Sequence, residues 1–412
     1  MTADATTSAV ADPAALNDNG IGAHIRRWWD AVRAGDVGSL PIIVGLLLIT
    51  VFFQTKNDNF LTAGNVSNLI VQMAGTTTIA MGVVFVLLLG EIDLSIGFVS
   101  GIAGVVVAEL QTGGSWTALP GWVAILAAIA VTAGIGLFQG SFVAFIGVPS
   151  FIVTLAGLLA WQGVVQKMIG STGVIVIQNS TIFDVANYFL DDVWGWIAGG
   201  VAVALIVLST LTGVVSRRRH HIYSDNLILV AIKLALATAA ILFLVSWLNT
   251  SRGFPFVGLL VIVLLIFLTW VAKRTTFGRH VYAVGGNAEA ARRAGINVKV
   301  IRWWVFGISG AMAGLGGVIF ASRLSSVDLN AGGGTILLDA IAAAVIGGTS
   351  LFGGRGEVKS ALLGALIIAS IANGMSLLGY SSATQYIVTG VILLAAVTLD
   401  TISRRRLAAS GR

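Results

Sequence analysis

The chain has no cysteine, so neither a disulfide framework nor a thiolate metal site is available to it. Histidine is nearly as scarce. His24, His220, His221 and His280 all lie in polar stretches, which argues against a buried His-rich metal centre, and no cofactor is expected. The larger absence is charge. Only 10% of the 412 residues are Asp, Glu, Lys or Arg, against 57% hydrophobic, whereas a soluble domain carries about 25% charged residues. So few charges cannot cover a water-soluble body of this size, and lipid is the alternative solvent. The net charge of +6 then reads as a positive-inside bias rather than as a nucleic-acid footprint.

What is present is a series of apolar runs. Twelve spans fit them, at approximately 39–55, 68–89, 95–111, 121–146, 150–170, 195–215, 226–248, 255–272, 302–321, 336–352, 359–379 and 384–402. The expectation is an all-α polytopic membrane helical bundle of about 10–12 transmembrane helices. The short, glycine-rich segments at 95–111 and 336–352 are the ones open to being broken or re-entrant, which is allowed only where protein or water lines them. With the N-terminus inside and alternating spans, only Lys56, Lys167, Lys233, Arg252 and Arg323 of the 24 basic residues fall outside or within spans. That asymmetry places both termini in the cytoplasm. Residues 1–38 lack the basic-then-apolar pattern of a cleavable signal and read as a cytoplasmic tail, as do 403–412. Within the first tail, His24–Val32 sets Trp28 and Trp29 beside Arg26 and Arg27, either an interfacial anchor or a solvated helix.

Four stretches depart from ordinary span or loop. In GEIDLSIG (90–97), Glu91 and Asp93 interrupt an apolar region, where carboxylates are costly and usually paired or functional. Asp93 and Ser95 are also good N-cap types. The basic loop 273–301 contains TTFGRHVYAVGGNAEAARRAGIN, with a turn at Gly285–Gly286–Asn287 and a short helix Ala288–Ala294 closed by Gly295. It is either a docking element or a plain connection. In AGGGTILLDAIAAAVIGGTSLFGGRGE (331–357), Asp339 sits in an Ala/Ile run. The following Lys359 is preceded by Val358, so the phosphate-loop pattern fails and the chain is expected not to be an enzyme with its own ATPase site. Lastly FQGSFVAFIGVPSFIVTLAG (138–157) places Gln139 inside a span. With Gln72, Thr76, Thr77, Thr78, Gln162, Asn373 and Gln385 it forms a set of neutral polar groups suited to sugar hydroxyls or to interhelical hydrogen bonds. Small-xxx-small pairs Gly97–Gly101 and Gly310–Gly314 point to close helix contacts.

These stretches together resemble the permease subunits of bacterial carbohydrate ABC importers of the ribose/xylose type. The motifs run in the family's order: FLTAGNVSNLI (60–70), GEIDLSIG (90–97), GVPSFIVTLAG (147–157), TFGRHVYAVGGNAEAARRAGI (276–296), LLDAIAAAVIGGTSLFGGRG (337–356) and NGMSLLG (373–379). Glu91 stands where many members have glycine, Gln139 where many have asparagine, and 195–248 reads as an extra pair of spans. All three are similar to the xylose branch. The resemblance implies a multi-pass protein of the bacterial inner membrane that moves D-xylose or a related monosaccharide by alternating access. It implies a second permease copy, an ABC ATPase subunit inside, and a periplasmic or lipid-anchored sugar-binding protein outside, with membrane lipid as surroundings and no nucleic acid. It also implies an ATPase-coupling role for Gly285, Gly286, Asn287, Ala291, Arg292 and Gly295, and a pathway role for Gln139, Asp339 and Asn373. Two rivals stay open: a permease for another small solute, and an ion-coupled secondary sugar transporter using Asp93 and Asp339.

Overall fold

The protein is described here from a computed structural model covering residues 40–112, 118–219 and 227–409. The His24–Val32 stretch, the 1–38 tail, His220 and His221 lie outside the described residues. The helices are α1 (Leu40–Lys56), α2 (Ala63–Leu88), α3 (Ile96–Thr112), α4 (Gly121–Ser141), α5 (Ser150–Ile169), α6 (Ser180–Asn187), α7 (Asp192–Arg219), α8 (Leu227–Leu248), α9 (Phe256–Arg274), α10 (Thr276–Gly286), α11 (Ala288–Arg293), α12 (Val298–Leu324), α13 (Ile336–Ile346), α14 (Lys359–Leu377) and α15 (Ser382–Ala409). Eight of them (α2, α4 with its extension to Ile146, α5 with its extension to Thr172, α7, α8, α9, α12 and α14) are long and apolar enough to cross a membrane, and four apolar helices are shorter. Each of the twelve expected segments overlaps one of these helices.

By contacts the chain divides into two units. The described part of one is residues 193–219 and 227–247, carried by α7 and α8. Gly199 of α7 faces Val245 of α8, and much of the remaining surface is aliphatic and exposed, including Leu205, Leu208, Leu236 and Phe243, as a lipid-facing hairpin requires.

The other unit holds the remaining helices around α2 and α12. Residues 77–89 of α2 and its C-terminal edge are buried on every side, the pattern of a helix enclosed by other helices. α3 and α4 pack on α12, α13 and α14 pack on α2, and α1 packs on α14. One end is basic. It gathers Lys273, Arg274, α10, α11, the start of α12 and Lys359. At the opposite end two short antiparallel ribbons close the loops. β1 (Val174–Val176) pairs with β4 (Ser326–Asp328), and β2 (Phe189–Leu190) pairs with β3 (Phe254–Pro255). The amphipathic α6 covers the end of α12 there, with Ser322 Oγ donating to the Phe183 carbonyl at 2.7 Å and accepting from Ala186 N at 2.9 Å.

Two helices start inside the bundle. Before α3, the loop 90–95 brings Asp93 to Ser309. Ser309 lies eleven residues into α12, about 16 Å from its start at 1.5 Å per residue. Before α13, the loop 331–335 packs onto α3: Gly101 faces the Ala331 carbonyl so closely that a methyl group would overlap it, and Gly97 faces the Gly332 carbonyl and Leu337. So the starts of α3 and α13 meet at depth. From there α3 runs toward the end bearing β1 and β4, while α13 ends at Ile346, well short of the expected residue 352, and its chain continues to the basic end. The glycines of the expected Gly97–Gly101 pair thus admit a loop, whereas Gly310 and Gly314 face Thr132 and let α12 approach α4.

Gly134 on α4 has open space where a Cβ would stand. Gly101→Val should lower the thermal midpoint of the purified protein by several degrees, since forcing atoms into filled space costs about 1–3 kcal/mol or more. Gly134→Ala should leave it in place. Equal midpoints for the two variants would refute the close contact between α3 and the 331–335 loop.

Candidate functional site

A cavity of about 340 Å³ opens where α13 begins. Its polar walls are Gln72 and Thr76 of α2, Arg323 of α12, Thr335 and Asp339 at the start of α13, Ser376 of α14 and Gln385 of α15. Phe320, Ile336, Ile368 and three alanines of α14 supply the apolar remainder. The size falls in the small-molecule range, and the lining carries more polar groups than such a site usually does.

Several of these groups are held in place. Thr335 Oγ1 donates to Asp339 Oδ2 at 2.7 Å, so one carboxylate oxygen is held and the other is left for the cavity. No side-chain cap serves the first amides of α13, and a helix start at depth presents positive potential to whatever lies beside it. Gln72 is oriented from behind: Asn373 Nδ2 reaches its Oε1 at 3.4 Å, while Asn65 and Asn373 exchange a reciprocal amide pair at 2.8 and 3.0 Å. Gln385 Nε2 donates to Ser376 Oγ at 3.2 Å. Arg323 forms no ion pair among the described residues and carries its charge to the cavity wall. Phe320 and Ile336 also line an adjacent cavity of about 390 Å³, which extends past Asp328, Asn330 and the glycines 332–334.

The expected pathway residues separate here. Asp339 is on the cavity wall. Asn373 stands one layer behind it. Gln139 is 3% exposed and belongs to a different cluster. There, Ser95 N and Oγ donate to Asp93 Oδ1 at 2.9 and 2.7 Å, Ser309 Oγ approaches Asp93 Oδ2 at 3.4 Å, and Ser95 Oγ lies 2.9 Å from Gln139 Oε1. A hydroxyl has one proton and cannot donate to both acceptors. Turning the Gln139 amide resolves this, because its otherwise partnerless Nε2 then donates to Ser95 Oγ. The cluster ties the loop before α3 to α4 and α12. Ser150 and Thr154 of α5 complete the tie, Ser150 Oγ accepting from Ile92 N at 3.2 Å, while the Thr154 hydroxyl proton is shared between the Ser150 carbonyl at 2.9 Å and the Ile92 carbonyl at 3.2 Å. Arg323, Thr335 and Ser376 are the polar cavity residues the sequence pattern passed over, Arg323 because it registers there only as one stray charge near a span end.

At the basic end, α11 is bounded by its own residues. Asn287 caps it by accepting from Ala290 N at 2.9 Å. Gly295, at φ +84°, closes it as a Schellman turn: Gly295 N donates to the Arg292 carbonyl and Ile296 N to the Ala291 carbonyl, both at 3.0 Å. Ala291 is buried, whereas Arg292 and Arg293 point outward and pair with Glu289 at 3.0 and 3.4 Å. Residues 276–286, expected as loop and turn, form α10, capped by Thr275. Gly285 sits against the Leu88 carbonyl with no room for a Cβ, while Gly286 faces open space. Gly354 N donates to the same Leu88 carbonyl at 2.9 Å. Glu91 pairs with Arg302 at 3.0 Å.

Glu357 sits between Lys273 at 2.7 Å and Lys359 at 2.6 Å. Burial alone pushes its carboxyl up, but the two lysines outweigh that and hold it below the ordinary value. Burial, and then the Glu357 charge, push the Tyr282 phenol up, so the hydroxyl stays protonated and donates to the Gly356 carbonyl at 2.8 Å.

The family described as branched-chain amino acid transport system / permease component matches residues 65–397. The chain is 40% identical over 367 residues to the xylose transport system permease protein XylH of Haemophilus influenzae, covering 89% of this chain and 96% of that one. It is 39% identical over 366 residues to the XylH of Escherichia coli strain K12, covering 89% and 92%. The ribose import permease protein RbsC of the same strain is 34% identical over 358 residues, covering 87% and 92%. No solved structure matches the chain.

The Glu357 pairing has a pH signature. A carboxyl whose folded pKa lies below its unfolded one adds stability above the unfolded value, and that stability is lost as pH falls through the folded value. Glu357→Gln should therefore lower the melting temperature slightly at neutral pH, and the gap to the parent protein should close once acidification below the ordinary carboxylate range protonates Glu357 in the folded protein. A gap that persists in acid would show that the two lysines do not act through the Glu357 charge.

Proposed function

This chain belongs to the branched-chain amino acid transport system / permease component family, and from that premise we propose that it is the membrane pathway of an ATP-driven importer of D-xylose or a closely related monosaccharide. The observation that carries the sugar reading is the cavity at the start of α13. Its amides, hydroxyls, guanidinium and carboxylate converge on a volume suited to a small polyol, and the family match over residues 65–397 takes in every residue that lines it. Both termini face the cytoplasm together with the basic end. An ABC ATPase subunit docks there on α11, whose exposed Arg292 and open Gly286 offer it a rigid edge. A periplasmic or lipid-anchored sugar-binding protein delivers substrate at the end carrying the two ribbons, and a second copy of the chain completes the pathway. The sugar meets Gln72, Arg323 and Asp339. The Asp93–Ser95–Gln139 cluster and the Asn65–Asn373 pair position the helices around it.

A branched-chain amino acid has one observation in its favour, since Arg323 and Asp339 together could pair with a zwitterion. The surrounding amides and hydroxyls favour the polyol. Uptake into proteoliposomes holding permease, ATPase and binding protein separates the two. Labelled xylose should enter on addition of ATP, should be indifferent to a protonophore, and should not be displaced by leucine. Arg323→Met and Asp339→Asn should each cut transport about tenfold or more while ATPase docking persists, the loss expected when a hydrogen-bonding group of the site is removed and its partner left unsatisfied. Arg292→Glu and Gly286→Trp should instead weaken docking of the ATPase. Unchanged uptake in the Arg323 and Asp339 variants would remove the cavity from the pathway. Uptake that collapses with the proton gradient at constant ATP would favour an ion-coupled carrier.

A further inference from the structure

Among the described residues, a cavity of about 470 Å³ at the basic end is separate from the one assigned to substrate. It lies between the end of α4 and the start of α12, lined by Val143–Gly147 on one side and by Arg292, Ile296–Lys299 and Arg302 on the other. Its walls combine two features. One is cationic. Arg292, Lys299 and Arg302 all line it, and no carboxylate does. Glu289 reaches Arg292 from the neighbouring turn and Glu91 lies 3.0 Å from Arg302 Nε, off the hydrogen-bond line, because that Nε has no hydrogen-bond partner. Lys299 has no ion pair among the described residues. The first turn of α12, capped by Asn297, adds the positive end of a 27-residue helix.

The other feature is apolar and outward. α4 ends in a π-helical turn, Phe142–Ile146, in which the Phe142 carbonyl accepts from both Gly147 N and Val148 N. The widened turn is buttressed by Trp303, whose indole donates to the Leu137 carbonyl at 3.0 Å and approaches Ser141 Oγ at 3.1 Å. It leaves Phe145 50% and Ile146 68% exposed, with Trp304 48% exposed on the neighbouring helix. Aromatic and aliphatic side chains beside a basic pocket at one membrane face match a lipid that is anionic at its head and apolar below it.

We propose that this cavity binds the head group of an anionic phospholipid, the phosphate seated among Lys299, Arg302 and the start of α12, and the acyl chains lying along Phe145, Ile146 and Trp304. Zwitterionic lipid satisfies the apolar rim but leaves Lys299, whose two neighbours Arg292 and Arg302 already face Glu289 and Glu91, without a net counter-charge. The site rests on the chain's membrane location and not on the identity of its substrate, so a failed sugar assay leaves it standing.

The test is native mass spectrometry of the full-length purified protein titrated with phosphatidylglycerol or phosphatidylcholine. Phosphatidylglycerol should add first and persist at collision energies that strip phosphatidylcholine. Lys299→Glu should weaken phosphatidylglycerol binding about fivefold or more, roughly the worth of one basic residue at an anionic surface, and Lys299→Arg should restore it. Phe145→Ser should weaken phosphatidylglycerol but not soluble glycerol phosphate. The same charge reversal at exposed Lys167, near the opposite end, should change nothing. Equal binding of the two lipids, or equal loss from Lys299→Glu and Lys167→Glu, overturns the proposal. So does full competition by glycerol phosphate, which would make the site one for a soluble anion. Binding of the ATPase that displaces no lipid but is lost with Lys299→Glu would assign the groove to that subunit.

Discussion

Hydrocarbon cannot hydrogen-bond a peptide group, so every length of irregular backbone inside the bundle must be satisfied by protein or by a wet cavity. Most of the distinctive residues of this chain answer that constraint. The loop before α3 is held by Ser150 and Thr154 at Ile92 and by its own Asp93 and Ser95. The loop before α13 lies on α3 because Gly97 and Gly101 leave space for its carbonyl groups. Where protein does not cover these starts, a cavity does: residues 332–334 line one and Thr335 the other, with Ile336 shared. The cavities are thus the other half of the same requirement, and the interrupted helices and the cavities occur together for one reason.

The spans were legible because hydropathy alone decides whether a stretch prefers lipid. So were the ends of α11, where Asn287 and Gly295 have conformational preferences that act locally. The unusual glycine content of 95–111 and 336–352 also marked the two helices that begin at depth. Which face of a helix a polar residue occupies was not legible, and this separates Asp339 on the cavity wall from Asn373 behind it and from Gln139 in another cluster. α10 escaped because Gly278, Gly285 and Gly286 lower its intrinsic helix propensity. Tertiary contacts override that: Gly278 and Gly285 are where the helix touches the Ala272 and Leu88 carbonyls. The ribbons are too short for a period to show. Arg323 was hidden by its position near the end of a long span, where a lone arginine ordinarily snorkels to the interface. Only the meeting of α12 with the start of α13 turns it toward a cavity.

The same contacts link the basic end to the cavity. α10 touches α2 at Leu88 through Gly285, and Gly354 donates to that same carbonyl, so α10, α2 and the 351–358 loop meet at one peptide group. Tyr282 and the Lys273–Glu357–Lys359 trio fasten the loop a second time. Glu91 and Arg302 fasten the start of the 90–95 loop to α12. From the 351–358 loop the chain runs back through Gly347, which lies against the Ser360 carbonyl, into α13. That helix is only eleven residues long, about 16 Å, and its first turn supplies Ile336 to both cavities and Asp339 to one of them. The route from an exposed helix at one face to the cavity wall at depth therefore consists of a bonded loop and one rigid half-helix. Because α13 does not span, both of its ends meet protein and not lipid: Leu337 lies against Gly97 at one end, and Gly347 lies against the Ser360 carbonyl at the other.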